Sequence, residues 1–381
     1  MSAPVHSASP SPGPSPVRYE LLGKDADARA GILHTRHGEV PTPAFMPVGT
    51  QATVKALSAE EVASTGARMA IMNTYHLWLR PGEAVVRELG GLHEFSRFRG
   101  ALVTDSGGFQ AFSLAARNKL SEDGFAFSSH LDGKKLQLSP EEAMRVQAAL
   151  GADVAMQLDV CAPGMSGRPE LIAALERTTR WAHRCLAARD PEQAVFGIIQ
   201  GGSEVDLRLR HAEELSALPF DGLALGGFSV GEPPEQMHRT LAQVAPRLDP
   251  SRIHYLMGVG TPRDLLIAIR HGVDLFDCVM PTRNARNGQA FVTGGRLVIR
   301  NQRFRLDRAV LDESCDCAAC TGGYSRAYLR HLYMAGEILA HRLLSLHNLR
   351  YYARLVAGAR TAILEGRYES YFDTKMRELG D

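Results

Sequence analysis

Eight short apolar runs, most of them separated by helical patterns, constrain this chain more than any other feature. They are PAFMPVG (43–49), MAIMNTY (69–75), ALVTDS (101–106), VAMQLDV (154–160), AVFGIIQ (194–200), GLALGGF (222–228), IHYLMGV (253–259) and DLFDCVM (274–280). Near-continuous apolar strands alternating with helices mean a parallel sheet covered by helices. The intervening segments carry helix signals. SPEEAMRVQAAL opens with Ser139 as N-cap, Pro140 in the first turn and Glu142 three residues after the serine, the pattern of a capping box. RPELIAALERTTRWAHRCLAAR has the apolar spacing of one longer amphipathic helix. Eight such units in roughly 250 residues fit an α/β fold of the (β/α)₈ barrel type, with a doubly wound open sheet as the competitor.

The ends of the runs favour the barrel. Asp105, Asp159, Gln200, Gly227 and Asp277 each stand at or near the C-terminal end of a different run, where barrel enzymes assemble their sites. One such residue is explained by a strand meeting a solvated loop. Five together, three of them carboxylates, point to a shared site. The glycine clusters (SGGF, QGG, GGF, GVG) match neither the dinucleotide fingerprint nor the P-loop, so they suit close backbone approach to a flat ligand.

The last run is the most unusual. DLFDCVM holds Asp277 inside apolar surroundings, and Arg283 and Arg286 follow at once in a turn of Pro, Asn and Gly. From Pro281 to Arg308 there are seven arginines, no lysine and one acid, Asp307. Guanidinium forks match phosphates and guanine edges, which makes a nucleic-acid contact a better reading than a solvated face. The net charge of the chain is only +1, so such a contact must be a local patch.

Among 381 residues, 45% are apolar and 22% charged, as in a globular protein with a real core. Residues 1–16, MSAPVHSASPSPGPSP, read as a disordered tail without the apolar segment of a signal peptide. No run reaches the length of a membrane span. Of six cysteines, Cys161, Cys185 and Cys278 stand alone, while Cys315, Cys317 and Cys320 crowd together in ESCDCAACTGG. That is not a disulfide framework; it suggests the reducing cytoplasm and one metal site. Three thiolates and one imidazole make a tetrahedral zinc site, closed and therefore structural, with the fourth ligand from His331, His341 or His347.

TDSGGFQ (104–110), GIIQGG (197–202), LALGGFSVGE (223–232), HYLMGVGTP (254–262), FDCVMPTRNARNG (276–288) and the cysteine–histidine pattern together closely resemble the bacterial tRNA-guanine transglycosylases. The likeness runs from about residue 18 to the chain end. It implies one barrel domain over 17–381 with a zinc-binding subdomain at about 295–350, and a homodimer. It also implies exchange of guanine at the wobble position of tRNAs with GUN anticodons (Asp, Asn, His, Tyr) for 7-aminomethyl-7-deazaguanine (preQ1), in queuosine biosynthesis. By the same resemblance Asp277 is the nucleophile and Asp105 the proton donor and acceptor. Phe109 stacks on the base, within a substrate-binding set of Ser106, Gly107, Gly108, Phe109, Asp159, Gln200, Gly227 and Met257. Gly258, Val259, Gly260, Thr261, Pro262, Arg263 and Asp264 hold the tRNA, as do Thr282, Arg283, Asn284, Ala285 and Arg286. Cys315, Cys317, Cys320 and His347 ligate one zinc ion per chain.

The chain departs from the family pattern in three places. Val160 stands where a glutamate is usual, Phe228 where leucine is common, and one residue is inserted after Cys320. Val230 and Cys161 match the groups that close the pocket against queuine, whereas queuine-using relatives have glycine at the valine position. The expected incoming base is thus preQ1, with queuine as the alternative. A non-catalytic RNA-binding subunit would lack one or both aspartates, and this chain has both. A metal-dependent barrel hydrolase would need ligand clusters at the strand ends, and none is there.

Overall fold

The computed structural model describes residues 15–113 and 118–380, so the tail read at 1–16 lies almost wholly outside the described residues. All eight apolar runs contribute to one parallel sheet. The first run is split by Pro47 into two short strands, Ala44–Met46 and Val48–Gly49. Ala44–Met46 pairs with Leu275–Asp277, the last strand, and Val48–Gly49 pairs with Met69–Met72, the second. One run therefore stands at both ends of the strand order, and the sheet closes into a barrel. The open-sheet competitor is excluded by that closure.

The strands are shorter than the runs. Met69–Met72, Ala101–Thr104, Val154–Met156, Ala194–Ile199, Gly222–Leu225, Ile253–Leu256 and Leu275–Asp277 stop up to four residues early. The polar residues at the run ends consequently sit in the loops of the barrel mouth, except Asp277, which closes its strand. Alternation sets which way each side chain points. Leu275 lies in the inner core with Tyr255, Met69, Ile71, Phe196 and Ile198, while Phe276 joins the outer core under the helices. Asp277, one residue on, returns to the inside.

Three elements lie outside the eight units. An antiparallel sheet, Arg18–Asp25, Ala28–Thr35 and Gly38–Thr42, packs Leu33 and Val40 against the inner core and stoppers the lower end. A second antiparallel sheet, Asn118–Ser121, Gly124–Ser128 and Lys135–Leu138, follows the third strand. The third is a small separate core containing Ala290, Val292, Phe304, Leu311, the three clustered cysteines and Leu344. The 27-residue helix Ile338–Leu364 joins that core to the barrel wall, burying Leu343 and Leu344 in one and Leu349 and Tyr352 in the other. Ser139 caps the helix Pro140–Leu150 by accepting from Glu142 N–H at 3.2 Å. The expected reciprocal bond is not made, because the Glu142 carboxylate binds Arg145 at 2.7 Å instead. The longer helix spans Arg168–Ala187, as its apolar spacing required.

Candidate active site

Asp277 faces the barrel axis at the mouth, and its two oxygens are treated differently. Oδ1 accepts from Tyr255 Oη at 2.5 Å and from Gly258 N–H at 2.7 Å. Oδ2 has no hydrogen-bond partner among the described residues. Both donors sit in or after the neighbouring strand, Ile253–Leu256, and Gly258 reaches the carboxylate with φ +68°. Burial raises the Asp277 pKa against the two hydrogen bonds, and no basic side chain offsets it.

Asp105 stands just past the third strand and feels the charge of Asp277. Thr74 N–H donates to Oδ1 at 2.8 Å, while Asn73 and Gln110 amides donate to Oδ2 at 2.7 and 3.1 Å. Burial outweighs the Thr74 bond, and with the repulsion from Asp277 it pushes the Asp105 pKa up to about 7. Two carboxylates thus share one mouth, both raised by burial, and Asp105 is raised further by the charge of its neighbour. That is the arrangement expected of a nucleophile and a proton carrier.

The other strand-end residues meet beside this pair. Gln200 Nε2 donates to Asp159 Oδ2 at 2.6 Å, and Ser106 Oγ donates to Oδ1 at 3.5 Å. Burial raises the Asp159 pKa to about 6. Gly227 approaches so closely, with φ +66°, that a Cβ there would lie 2.3 Å from Gln200 Oε1. No side chain fits between the two. The ring of Phe109, in the helix Gly108–Ser113, is half exposed, as a free stacking face must be. It lines, with Gly108, Val160 and Cys161, an adjoining cavity of about 360 Å³ that does not include either catalytic candidate. Gly107 is buried at φ +77°, and Met257 borders the inner core.

The segments expected to touch RNA are mixed in character. Thr261 and Asp264 form a capping box for the helix Pro262–Arg270, and Asp264 also binds His238 at 2.7 Å. Val259, Gly260 and Pro262 are buried, and Arg263 donates to Gly380 O. The stretch after Asp277, expected as a turn, is a helix, Met280–Arg286, with Pro281 in its first turn, where a proline is tolerated. Its Thr282 and Ala285 face inward, Asn284 is half-buried and Arg283 is exposed. Arg286 Nη1 is buried without a partner among the described residues, and burial lowers its pKa together with the nearby Arg283 charge.

Cys315, Cys317, Cys320 and His347 are all buried, with one donor atom from each within 4.8 Å of the others. His347 Nδ1 lies 3.5 and 3.4 Å from the sulfurs of Cys317 and Cys320. Its Nε2 sits 2.7 Å from Phe291 O, which places the proton on Nε2 and frees Nδ1 as a ligand. The donor set fits a metal ion, and His347 rather than His331 or His341 completes it. A second group, His37, His93 and Asp153, is differently built. Its two imidazoles stack at 3.4 Å and 16°, so their in-plane nitrogens cannot converge on one ion. Each instead meets a separate oxygen of Asp153, at 2.8 and 3.3 Å.

Comparison with known proteins agrees with this layout. The family model described as queuine tRNA-ribosyltransferase matches residues 25–381. A queuine tRNA-ribosyltransferase of Sorangium cellulosum is 63% identical over 93% of this chain and 90% of its own length. Those of Pelotomaculum thermopropionicum (95% and 98% covered) and Symbiobacterium thermophilum (93% and 90%) are each 52% identical. The chain belongs to the queuine tRNA-ribosyltransferase family. It is therefore a pentosyltransferase of a family that acts on tRNA. No helix among the described residues is long and apolar enough to cross a membrane.

Several groups that shape this family member's site went unnoticed in the sequence. Tyr255, Asn73, Thr74 and Gln110 hold the two aspartates, and Glu232 accepts from the backbone of Ser229 and Val230 at 2.5 and 3.0 Å. Tyr255 had a signal: it stands at an inward position of its strand, facing a mouth that already held a carboxylate. Asn73 and Thr74 lie inside a quoted run and carry no charge to draw attention.

Proposed function

We propose that this enzyme exchanges guanine at the wobble position of tRNAs with GUN anticodons for preQ1, through a covalent ribosyl–aspartyl intermediate. What supports this most is the asymmetry of the aspartate pair. Asp277 keeps one oxygen free at the mouth, and Asp105 beside it has a pKa of about 7. Asp277 Oδ2 attacks C1′ of the target ribose while Tyr255 and Gly258 hold Oδ1. The glycosidic bond to N9 breaks, and the purine leaves as guanine after Asp105 supplies a proton. Asp105, now ionised, takes a proton from preQ1, whose nitrogen displaces Asp277 from C1′. Two inversions at one carbon retain configuration, as in retaining glycosidases, with a base in place of water.

Phe109 stacks on the base, and Asp159, Gln200 and the Gly227 backbone read its edge, with Ser106, Gly107, Gly108 and Met257 around it. Arg283 and Arg286 meet the RNA, the latter through its partnerless Nη1, alongside Thr282, Asn284 and Ala285 and the backbone of the Gly258–Asp264 segment. The cysteine cluster, in a subdomain at about 295–350 of the unit 17–381, holds one structural zinc ion, and the enzyme works in the cytoplasm as a homodimer. The deciding experiment mixes purified protein with tRNA and looks for an adduct that survives denaturing electrophoresis. Wild type should form it and release it when guanine or preQ1 is added, and Asp277→Asn should form none. An adduct from Asp277→Asn would remove the assignment.

A further inference from the structure

Arg208 is a fully buried cation on the helix Val205–Ser216, and among the described residues it makes no salt bridge. Its donors go entirely to backbone carbonyls. Nε donates to Gly202 O at 2.5 Å and Nη1 to Ile199 O at 3.4 Å, while Nη2 donates to Gly226 O at 2.9 Å and Gly227 O at 3.3 Å. The Phe228 ring covers the guanidinium face, with Cζ 3.6 Å from the ring centroid. A buried charge without a counter-ion needs compensation of this density, from carbonyl dipoles and a π face, to persist.

The carbonyls come from two loops. Ile199 closes the fifth strand and Gly202 lies just past Gln200 in the loop after it, while Gly226 and Gly227 follow the sixth. One turn further along the same helix, His211 Nδ1 accepts from Gln200 N–H at 2.8 Å. The helix thereby grips the backbone on both sides of the contact between Gln200 and Gly227. Strand pairing ends beside the grip, where Gly226 N–H donates to Ile199 O at 3.1 Å, and beyond that bond the helix holds Gln200 and Gly202 against Gly226 and Gly227.

We propose that Arg208, capped by Phe228, is a positioning residue that clamps these two loops and so sets the affinity of the pocket for the purine edge. The Phe228 ring, 3.6 Å from the guanidinium carbon, is part of this clamp. The inference rests on the reading of Gln200 and Gly227 as base-reading groups.

The test measures KM for guanine, KM for tRNA, kcat and melting temperature in wild type, Phe228→Leu and Arg208→Lys, with guanine binding followed separately by calorimetry. Phe228→Leu keeps an apolar group of related volume and Arg208→Lys keeps the charge while losing the fork. Both should raise KM for guanine, and weaken its direct binding, by roughly tenfold, the scale of one desolvated cation–π contact or forked hydrogen bond. KM for tRNA should change by less than about twofold, because most RNA affinity comes from phosphate contacts elsewhere. If Arg208→Lys does not fold, Phe228→Leu decides. An unchanged KM for guanine, or losses that only follow melting temperature, would overturn the clamp while leaving the exchange reading intact. Wild-type protein that neither exchanges nor binds guanine would sink both.

Discussion

Asp274 enters the eighth barrel strand at its lower end, and Asp277 closes the same strand at the mouth. Asp274 is engaged on both oxygens: Tyr19 Oη donates to Oδ1 at 2.9 Å, and Oδ2 receives His254 N–H at 2.8 Å and pairs with Arg29 at 3.2 Å. Among the described residues Asp277 receives two donors, both on Oδ1, and no cation. Burial raises both pKa values, but only Asp274 has an arginine and a histidine working against it. A carboxylate with both oxygens engaged and a cation beside it holds a structure together. One left half-engaged at an open mouth can form a bond.

Exchanging the two acids for amides is the strongest way to break this comparison. Asp277→Asn should lower base exchange by at least ~10⁴-fold, as loss of a nucleophile does, and leave melting nearly unchanged. Asp274→Asn should do the reverse. It strands Arg29, which is almost fully buried, and should cost about 3–5 kcal/mol of stability while the folded fraction keeps its turnover. Denaturant titration and single-turnover assays on both variants would expose a swapped pair of outcomes, which would refute the division of labour.

Asp105 comes next, with a loss of about 10²–10⁴-fold expected for Asp105→Ala, the usual worth of a general acid–base group. Its pH signature is sharper. With a pKa of about 7, Asp105 is protonated below neutrality, so adduct formation with release of guanine should slow as pH rises through about 7. Insertion of preQ1 into a preformed adduct needs the ionised form and should speed up over the same range. Stability runs in one direction only. The native pKa lies above the unfolded value near 4, so the folded state holds the extra proton between about pH 4 and 7 and loses stability as pH rises through that window. Asp105→Asn should therefore melt higher than wild type at pH 8. Two half-reactions with the same pH dependence would exclude this residue as the shared proton carrier.

The metal cluster offers a comparison at longer range. His347 holds Phe291 O, and the adjacent Asn348 holds Phe291 N–H, Pro281 O and Gln289 O, at 2.7 to 2.9 Å. The cluster is thus tied to the helix that follows Asp277. Elemental analysis should find about one zinc per chain, and Cys317→Ser should lose metal and melting temperature together, since ligation energy is folding energy. Full stability in a metal-free protein would show that the cysteines are ordinary core residues.

How much of this was legible depended on the range of the interaction. The barrel was readable because each strand is a local apolar run, and Asp105, Asp159, Gln200, Gly227 and Asp277 were readable because strand ends must converge when a sheet closes. The strand limits were not, since residues such as Met257 and Gly258 remain apolar or neutral after pairing stops. The lower sheet was missed because RYELLGKD is only weakly alternating, and its burial comes from the barrel it covers. Arg208 looks like any cation on an amphipathic helix, and only the carbonyls of two distant loops distinguish it. The arginine-bearing stretch was expected as a turn because Pro and Asn favour turns locally, but Pro281 at a first helical turn is equally at home.

The smallest expected effect tests the proposed preference for preQ1 over queuine. The Val230 carbonyl accepts from Gly164 N–H at 3.2 Å, so the loop carrying Cys161 is packed directly against the Val230 segment. Val160 is buried, and its backbone N–H donates to Thr178 Oγ1 at 3.0 Å, which keeps that loop in place. Queuine bears a cyclopentenediol on the aminomethyl group of preQ1, and a valine intruding on that ring would cost about 1–3 kcal/mol, as overpacking does in cores. That corresponds to a preference of roughly tenfold or more for preQ1. Val230→Gly should raise kcat/KM for queuine by about that factor and leave preQ1 within about twofold. Because Ser229 already holds φ +56°, glycine at 230 could act by loosening the loop. Val230→Ala separates the two causes, since it removes the methyl groups and keeps a Cβ. A gain for queuine in both variants supports the steric wall. Wild-type kcat/KM for queuine equal to that for preQ1 would mean that no wall exists, and neither substitution should then change the ratio.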